Sequence, residues 1–203
     1  MDSFFDTVAG WWPAGRADYH WHVLLPDTGG RGLVDPYRQL THRQGLAPVP
    51  ARWLHVTVMP VAPVDEISVG ERDRIIAGVR TRCALIPAFE LTLDRPGVGR
   101  HALECPGRPG APLRRVRQAI VDAIRAVIGD RMPMLPAHYH PHTSIAYAVG
   151  TVRNGPVRVW LSDNGPGPFT FPVTTVSLVE QSHDGRHITW DKVLAVPLGA
   201  GTA

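Results

Sequence analysis

The sequence LHVTV at residues 54–58 has the same residue pattern as PHTSI at residues 141–145. Each stretch carries a histidine followed two positions later by a hydroxyl side chain, within apolar and β-branched residues that favour a strand. Because the two stretches lie far apart in the chain and share one pattern, the sequence is consistent with two related half-domains.

Alternation along a strand places the histidine and the hydroxyl of each stretch side by side. Successive side chains point to opposite faces, so His55 shares a face with Thr57, and His142 shares a face with Ser144. The opposite faces carry the residues between and around them: Leu54, Val56, Val58, Thr143, Ile145 and Tyr147. An imidazole exchanges a proton near neutral pH, and a hydroxyl can bind an anionic oxygen. The paired side chains therefore suit chemistry on a phosphate ester.

A third tripeptide of the same form, His187-Ile188-Thr189, also lies in a predicted strand. A chain with ten histidines contains about one such match by chance, so the tripeptide alone does not identify a site. We interpret His187 and Thr189 as the polar face of a late strand. Taken singly, His55 and His142 are also compatible with hydrogen-bonded structural histidines.

The remaining pattern predicts an α+β fold, because strands and helices do not alternate regularly. One helix begins at the capping box of Ser68 and Glu71 and ends before Pro87, and a second has Pro112 in its first turn and stops at Gly129. Seven strands are predicted, at 20–25, 52–59, 88–93, 100–105, 142–148, 171–179 and 187–196.

Composition predicts one domain over residues 1–203, with residues 1–17 and 199–203 peripheral. The chain is 44% hydrophobic and 19% charged, enough to bury a core and too apolar for disorder. No apolar run is long enough to span a membrane, and the first residues lack the basic start of a secretory signal. Cys83 and Cys105 form neither a disulfide framework nor a CxxC site. We expect a cytoplasmic protein.

The net charge of +3 is a modest bias, carried almost wholly by arginine. Arginine binds phosphate oxygens through a planar fork, so an anionic substrate fits the composition. The same arginines are equally compatible with an ordinary solvated surface. No dense basic run of the kind found in nucleic-acid-binding tails occurs.

Together the two motifs resemble those of the 2H phosphoesterases, in particular the bacterial 2′,5′ RNA ligase-like or cyclic phosphodiesterase branch. The resemblance is carried by residues 54–58 and 141–147, with residues 171–180 as the strand expected after the second motif. It implies two pseudo-symmetric lobes of antiparallel sheet with helices outside, each lobe contributing one motif to a central cleft. Ser144 stands where threonine is commoner and keeps the hydroxyl.

The resemblance also implies the activity: metal-independent cleavage of 2′,3′-cyclic phosphates or 2′,5′ linkages in RNA or nucleotides. His55 and His142 would act as general acid and base, in either order, and Thr57 and Ser144 would bind the non-bridging phosphate oxygens. The expected partners are RNA ends or nucleotide phosphodiesters. We expect a monomer that needs no cofactor.

Two other functions fit some of the same residues. Alternate histidines can ligate a metal, so His20 and His22, or His138, His140 and His142, could serve a metal-dependent hydrolase, although no nearby acidic residue completes a recognised spacing. A module that binds RNA ends without cleaving them is the second alternative.

Aromatic residues beside the motifs are predicted to pack in the core. Trp53 precedes the first motif and Tyr147 ends the second, and alternation turns Tyr147 away from His142. His20 and His22 share a face of the first predicted strand and could line the cleft or form a polar edge. No role is assigned to them.

Overall fold

A computed structural model of the chain describes residues 1–134 and 138–199. The strands within those ranges form two sheets, and every strand pair is antiparallel. The first sheet has the order β10-β9-β1-β3, and the second has the order β2-β7-β6-β4-β8, with β5 beside β6. The α+β architecture is confirmed, and each sheet contains one motif strand.

The first sheet contains β1 (Asp18–Leu24), β3 (His55–Pro63), β9 (Thr175–His183) and β10 (Ile188–Pro197). The second contains β2 (Leu46–Pro48), β4 (Phe89–Leu93), β5 (Gly97–Val98), β6 (Ala102–Arg108), β7 (His142–Ala148) and β8 (Phe169–Val173). The helices are α1 (Phe4–Val8), α2 (Asp27–Val34), α3 (Arg38–Thr41), α4 (Val69–Cys83), α5 (Gly110–Ile128) and α6 (Asn154–Asp163). No helix in these ranges is both long and apolar enough to cross a bilayer.

The two long helices begin and end as the sequence predicts. Ser68 accepts a hydrogen bond from the Glu71 amide while the Glu71 carboxylate accepts one from the Ser68 amide, which completes the capping box of α4. Gly129 ends α5 with a φ of 56°, a conformation that glycine adopts without steric cost. The two helices pack on each other, where a Cβ at Gly78 would lie only 3.1 Å from the Ala123 Cβ.

The N-terminal segment is not peripheral, contrary to the prediction for residues 1–17. Phe5, Val8 and Trp12 are each at most 5% exposed and belong to the hydrophobic core. Backbone hydrogen bonds join Asp2 to Arg100 and Met1 to Val152. The prediction failed because polar and glycine residues separate the apolar ones in this segment, so no strand or helix period reveals its core contacts. At the other terminus, residues 200–203 lie outside the described ranges.

The predicted strand at 171–179 is two strands in different sheets. It divides at Thr174, so that β8 completes the second sheet and β9 lies inside the first. The run of β-branched residues continues through Thr174, so the sequence does not mark the end of β8. Tertiary packing determines where the chain passes from one sheet to the other. The short strands β2 and β5 and the helices α1, α2, α3 and α6 were not predicted, because each is too short for a clear period.

Candidate active site

A cavity of about 270 Å³ lies between the two motif strands and is lined by all four predicted site residues. β3 supplies His55 and Thr57, and β7 supplies His142 and Ser144. We call this space the first cavity. Its size is near the lower end of ligand pockets, which begin at roughly 300 Å³. Two sequence-distant pairs of side chains therefore meet at one concave site.

The His55 ring is fixed by the backbone just before its own strand. Its Nδ1 lies 2.7 Å from the carbonyl oxygen of Trp53. A carbonyl oxygen only accepts, so Nδ1 carries the proton and donates it, which leaves Nε2 as the nitrogen that can exchange a proton. Burial lowers the pKa of His55 to about 4, the Trp53 hydrogen bond opposes this shift, and the charge on His142 adds to it. His55 is thus neutral at pH 7.

His142 repeats the arrangement in the other sheet. Its Nδ1 lies 2.9 Å from the carbonyl oxygen of His140, again two residues earlier in the chain. The His142 side chain is exposed, whereas His55 is 9% exposed. The two histidines therefore share one tautomer and differ in their access to solvent.

His55 and Thr57 share a face of β3 as predicted, and the pairing of β3 with β1 is irregular only beyond Thr57. In β7, a bulge follows Ser144. Glu104 of β6 pairs with Ser144, whereas the neighbouring Leu103 pairs with Ala146, so Ile145 has no partner. The extra residue reverses the alternation beyond it. Tyr147 is buried as predicted but lines the first cavity on the same side as His142, which corrects its predicted face. A bulge of this kind leaves no signal in a single sequence.

Trp53, the other aromatic residue beside a motif, packs outside the first cavity. Its ring is half-buried against the core, with the Arg52 guanidinium 4.1 Å from the ring centroid. Its carbonyl accepts hydrogen bonds from both His55 and Trp190. Trp53 therefore contributes to the site through its backbone.

His20 and His22 were given no role from the sequence, and both lie against the site. His20 lines the first cavity, and the buried His22 ring stacks on His55 with centroids 4.0 Å apart. Burial lowers the pKa of His20 to about 3 and that of His22 well below its usual value, and nearby imidazoles add to both shifts. The shared face of His20 and His22 on the first strand was the sequence feature that pointed to the site. Their place beside His55 could not be predicted because it depends on the pairing of β1 with β3.

A second cavity, of about 380 Å³, adjoins the first. Thr57, Glu104 and His142 line both spaces and form the wall between them. The second cavity is also lined by Arg117 and Tyr139. The Arg117 guanidinium lies 5.2 Å from the centroid of the Tyr139 ring. The candidate catalytic groups thus stand at the junction of two spaces.

The other histidine clusters do not assemble a metal site. His138 and His140 line the second cavity beside His142, with their ring centroids 6.3 Å apart. In the part of the chain that the structure describes, no three His, Cys, Asp or Glu side chains are placed to hold one metal ion. The residues present therefore do not fit either predicted metal cluster.

The histidine and the hydroxyl of the third tripeptide do not line the first cavity, although Ile188 between them does. His187 contacts Asp184, with Nδ1 3.4 Å from the carboxylate, and it lines a separate depression with Arg38 and His42. Thr189 pairs with Ser182 in the first sheet. Thr189 lies in β10, as interpreted, whereas His187 immediately precedes this strand. Because neither residue lines the first cavity, both are matched controls for the two motifs.

The family described as the 2′-5′ RNA ligase superfamily matches residues 26–185. Among solved structures, TT0787 of Thermus thermophilus is similar with a TM-score of 0.68 and 18% identity, covering 91% of this chain and 100% of that one. E. coli LigT complexed with 3′-AMP has a TM-score of 0.68 and 18% identity, covering 91% and 99%. The MHV ns2 PDE domain has a TM-score of 0.54 and 11% identity, covering 81% and 99%. No curated protein matches the chain.

Proposed function

Because the chain belongs to the 2′-5′ RNA ligase superfamily, we propose that it is a metal-independent phosphodiesterase. Its substrates are 2′,3′-cyclic phosphates or 2′,5′-linked phosphodiesters of nucleotides or RNA, cleaved by two-histidine acid–base catalysis. The resemblance to 2H phosphoesterases predicted from the two motifs is confirmed at the level of family and fold.

The observation that carries the proposal is the matched orientation of the two histidines. Each donates from Nδ1 to a carbonyl two residues earlier, and both side chains line one cavity. Each ring therefore offers Nε2 for proton exchange without a change of tautomer. Proton transfer by a positioned side chain contributes roughly 10²- to 10⁴-fold in rate.

In the reaction, one imidazole accepts a proton from the attacking water while the other, protonated, donates to the leaving ribose oxygen. The P–O bond to water forms as the P–O bond to the ribose breaks, and the two rings end with their protonation states exchanged. Negative charge increases on the non-bridging oxygens as phosphorus becomes five-coordinate. Thr57 and Ser144, placed in the same cavity, donate hydrogen bonds to those oxygens.

The adjoining cavities support a substrate with groups on both sides of the phosphate. His142, Thr57 and Glu104 stand between the two spaces, so a nucleoside can extend into either one. Nucleotide binding is compatible with structures of the similar protein LigT complexed with 3′-AMP, NADP+ and ATP. Arg117 supplies a cation to the second cavity for further phosphates.

The test is turnover of a 2′,3′-cyclic nucleotide and of a 2′,5′-linked dinucleotide, followed by phosphorus NMR with and without chelator. We expect hydrolysis that excess EDTA leaves unchanged. His55→Ala and His142→Ala should each lower kcat by roughly 10²-fold or more, while His187→Ala should remain within about twofold of wild type.

Each failure has a distinct meaning. Loss of activity in EDTA that returns with added divalent metal would indicate the metal-dependent alternative. Saturable binding of the dinucleotide without any turnover would indicate an RNA-end-binding module. Full activity in His55→Ala or His142→Ala would contradict the proposed mechanism.

A further inference from the structure

We propose that the N-terminal segment forms a nucleobase-binding subsite at one end of the first cavity. In it, the Trp11 indole stacks on the base and Gln181 hydrogen-bonds to its amino group. The inference deepens the proposed function and rests on it, since it assigns the base of the nucleotide to a particular set of residues.

The first observation is the exposure of the Trp11 indole at the first cavity. Its side chain is 63% exposed, an unusual state for an indole, and it lines the first cavity with Trp12 and Phe4. The Trp11 and Trp12 rings are stacked at 21°, with centroids 6.5 Å apart. An exposed indole at a cavity mouth offers a flat apolar surface, and stacking of a base on an aromatic ring strengthens binding by roughly 5- to 100-fold.

The segment that carries these rings is held at several points. The Arg16 guanidinium donates to the Trp11 carbonyl at 2.8 Å and pairs with the Asp18 carboxylate at 2.9 Å. The Trp12 indole donates to the Arg16 carbonyl at 3.2 Å, and the Gly15 amide donates to the His183 carbonyl. Because the backbone that carries the indole is fixed before any ligand arrives, binding does not lose the conformational entropy of ordering that segment.

Gln181 provides an independent observation. Its side chain is 4% exposed and lines the first cavity, yet its Oε1 has no hydrogen-bond partner among the described residues. Gln181 lies near His22, and its carboxamide favours the charged imidazole, although no contact to Oε1 within the described residues has the geometry of a hydrogen bond. The Nδ1 atom of His20, which lines the same cavity, is also unpaired among those residues.

Buried acceptors without donors weaken a fold unless a ligand or water supplies the missing hydrogen bonds. A base with an exocyclic amino group, such as adenine, carries donor and acceptor atoms on one edge and a flat face beside it. A carboxamide matches such an edge, since glutamine binds adenine through a donor–acceptor pair. An aromatic surface and an unpaired carboxamide in one cavity therefore fit a nucleobase.

This subsite lies largely outside the residues that the family shares. The family match begins at residue 26, so Phe4, Trp11 and Trp12 precede it. The candidate catalytic pairs lie within the match, whereas Trp11 lies before it. Substrate selection and catalysis are therefore separable by mutation.

The experiment compares two substrates that differ only in the base: adenosine 2′,3′-cyclic phosphate and methyl ribofuranoside 2′,3′-cyclic phosphate. The quantity measured is the ratio of their KM values, base-free over base-bearing. In wild type we expect a ratio of at least about 10, and Trp11→Ala should lower it by roughly 5-fold or more. Trp11→Phe should retain most of it, and Leu85→Ala, which changes an exposed side chain elsewhere, should not alter it.

Gln181 is tested with a third substrate, the 2′,3′-cyclic phosphate of purine riboside, which lacks the amino group. Wild type should prefer adenosine over purine riboside by roughly 5- to 10-fold in KM, and Gln181→Met should abolish that preference. Thermal unfolding of every variant checks that the fold is kept. The subsite would be contradicted if the KM ratio of the base-free to the base-bearing substrate were near one in wild type, or if Trp11→Ala left that ratio unchanged.

Failure of the proposed function is recognised separately. If wild type hydrolyses none of the three substrates, calorimetric binding of adenosine 3′-monophosphate and ribose 3-phosphate replaces KM. If wild type prefers the nucleotide and Trp11→Ala loses this preference, the subsite is supported while the proposed phosphodiesterase activity is rejected. Equal affinity for the two probes would overturn the subsite as well.

Discussion

The imidazole of His22 lies parallel to that of His55, with ring centroids 4.0 Å apart and an angle of 8° between the planes. His22 is fully buried, and neither of its ring nitrogens has a hydrogen-bond partner among the described residues. Two stacked imidazoles cannot both be charged at low cost, so burial and proximity keep the pair neutral. This relationship links a catalytic candidate to the stability of the fold.

Acidification should destabilise the protein before its carboxylates titrate. The pKa values of His20, His22 and His55 are lower in the folded chain than the usual 6.5, with His20 at about 3 and His55 at about 4. The unfolded chain therefore binds protons first as the pH falls below 6.5. Stability is complete above that pH and declines towards pH 4, by about 1.4 kcal/mol per pH unit for each histidine.

Urea unfolding between pH 7 and pH 5 measures this decline. His22→Phe keeps a flat ring and removes one titrating group, so its free energy of unfolding should fall less steeply, by about 1 kcal/mol per pH unit on average over this range. Equal slopes in wild type and His22→Phe would show that His22 is not held neutral.

Removal of the His22 ring should impair catalysis through the placement of His55. His22→Ala leaves a space beside His55, and a displaced proton-transfer group reduces turnover, here by roughly 10-fold in kcat. His22→Phe should recover most of the loss because it restores the flat contact. If Phe and Ala variants were equally slow, the effect would have a cause other than ring packing.

The hydroxyl groups of the two motifs should contribute to turnover more than to folding. Thr57→Val and Ser144→Ala remove donors to the phosphate oxygens, and we expect each to lower kcat by roughly 10²-fold. Thr189→Val makes the same change at a hydroxyl that does not line the first cavity and should not alter kcat. Thermal unfolding at pH 7.5 would reveal whether a lower kcat reflects unfolding instead.

The capping box of α4 makes a prediction that is independent of function. Ser68→Ala removes the side-chain acceptor for the Glu71 amide, and the free energy of unfolding should fall by about 1 kcal/mol. Glu71 also contacts Arg131, so Glu71→Ala should cost more than Ser68→Ala. Denaturant titration at pH 7.5 compares the two. An unchanged midpoint in Ser68→Ala would contradict the role of the cap.

Local pattern was sufficient to predict the motif strands, the two long helices and the pairing of each histidine with its hydroxyl. These features depend on the period of a strand or helix and on caps, which are contained in a few adjacent residues. The start of α4 at Ser68 and the end of α5 at Gly129 are of this kind. The family resemblance supplied the two-sheet arrangement.

Features that depend on contacts between distant residues were not predicted. The bulge that turns Tyr147 into the cavity is set by the pairing of β7 with β6. The stacking of His22 on His55 requires β1 to lie beside β3, and the burial of Phe5 and Trp12 requires the finished core. Each of these features is determined by tertiary packing, and the sequence alone is compatible with several alternatives.

The contact between the two motif strands has a further consequence for motion. β3 pairs with β1 only, and no backbone hydrogen bond in the described ranges joins it to β7. Side chains cross this seam instead, such as the Tyr139 hydroxyl that donates to the Thr57 carbonyl at 3.0 Å. A relative movement of the two sheets at this contact would therefore break no hydrogen bond between paired strands. We therefore expect a covalent link between β3 and β7 to restrict this movement while it leaves the strand pairing of both sheets unchanged.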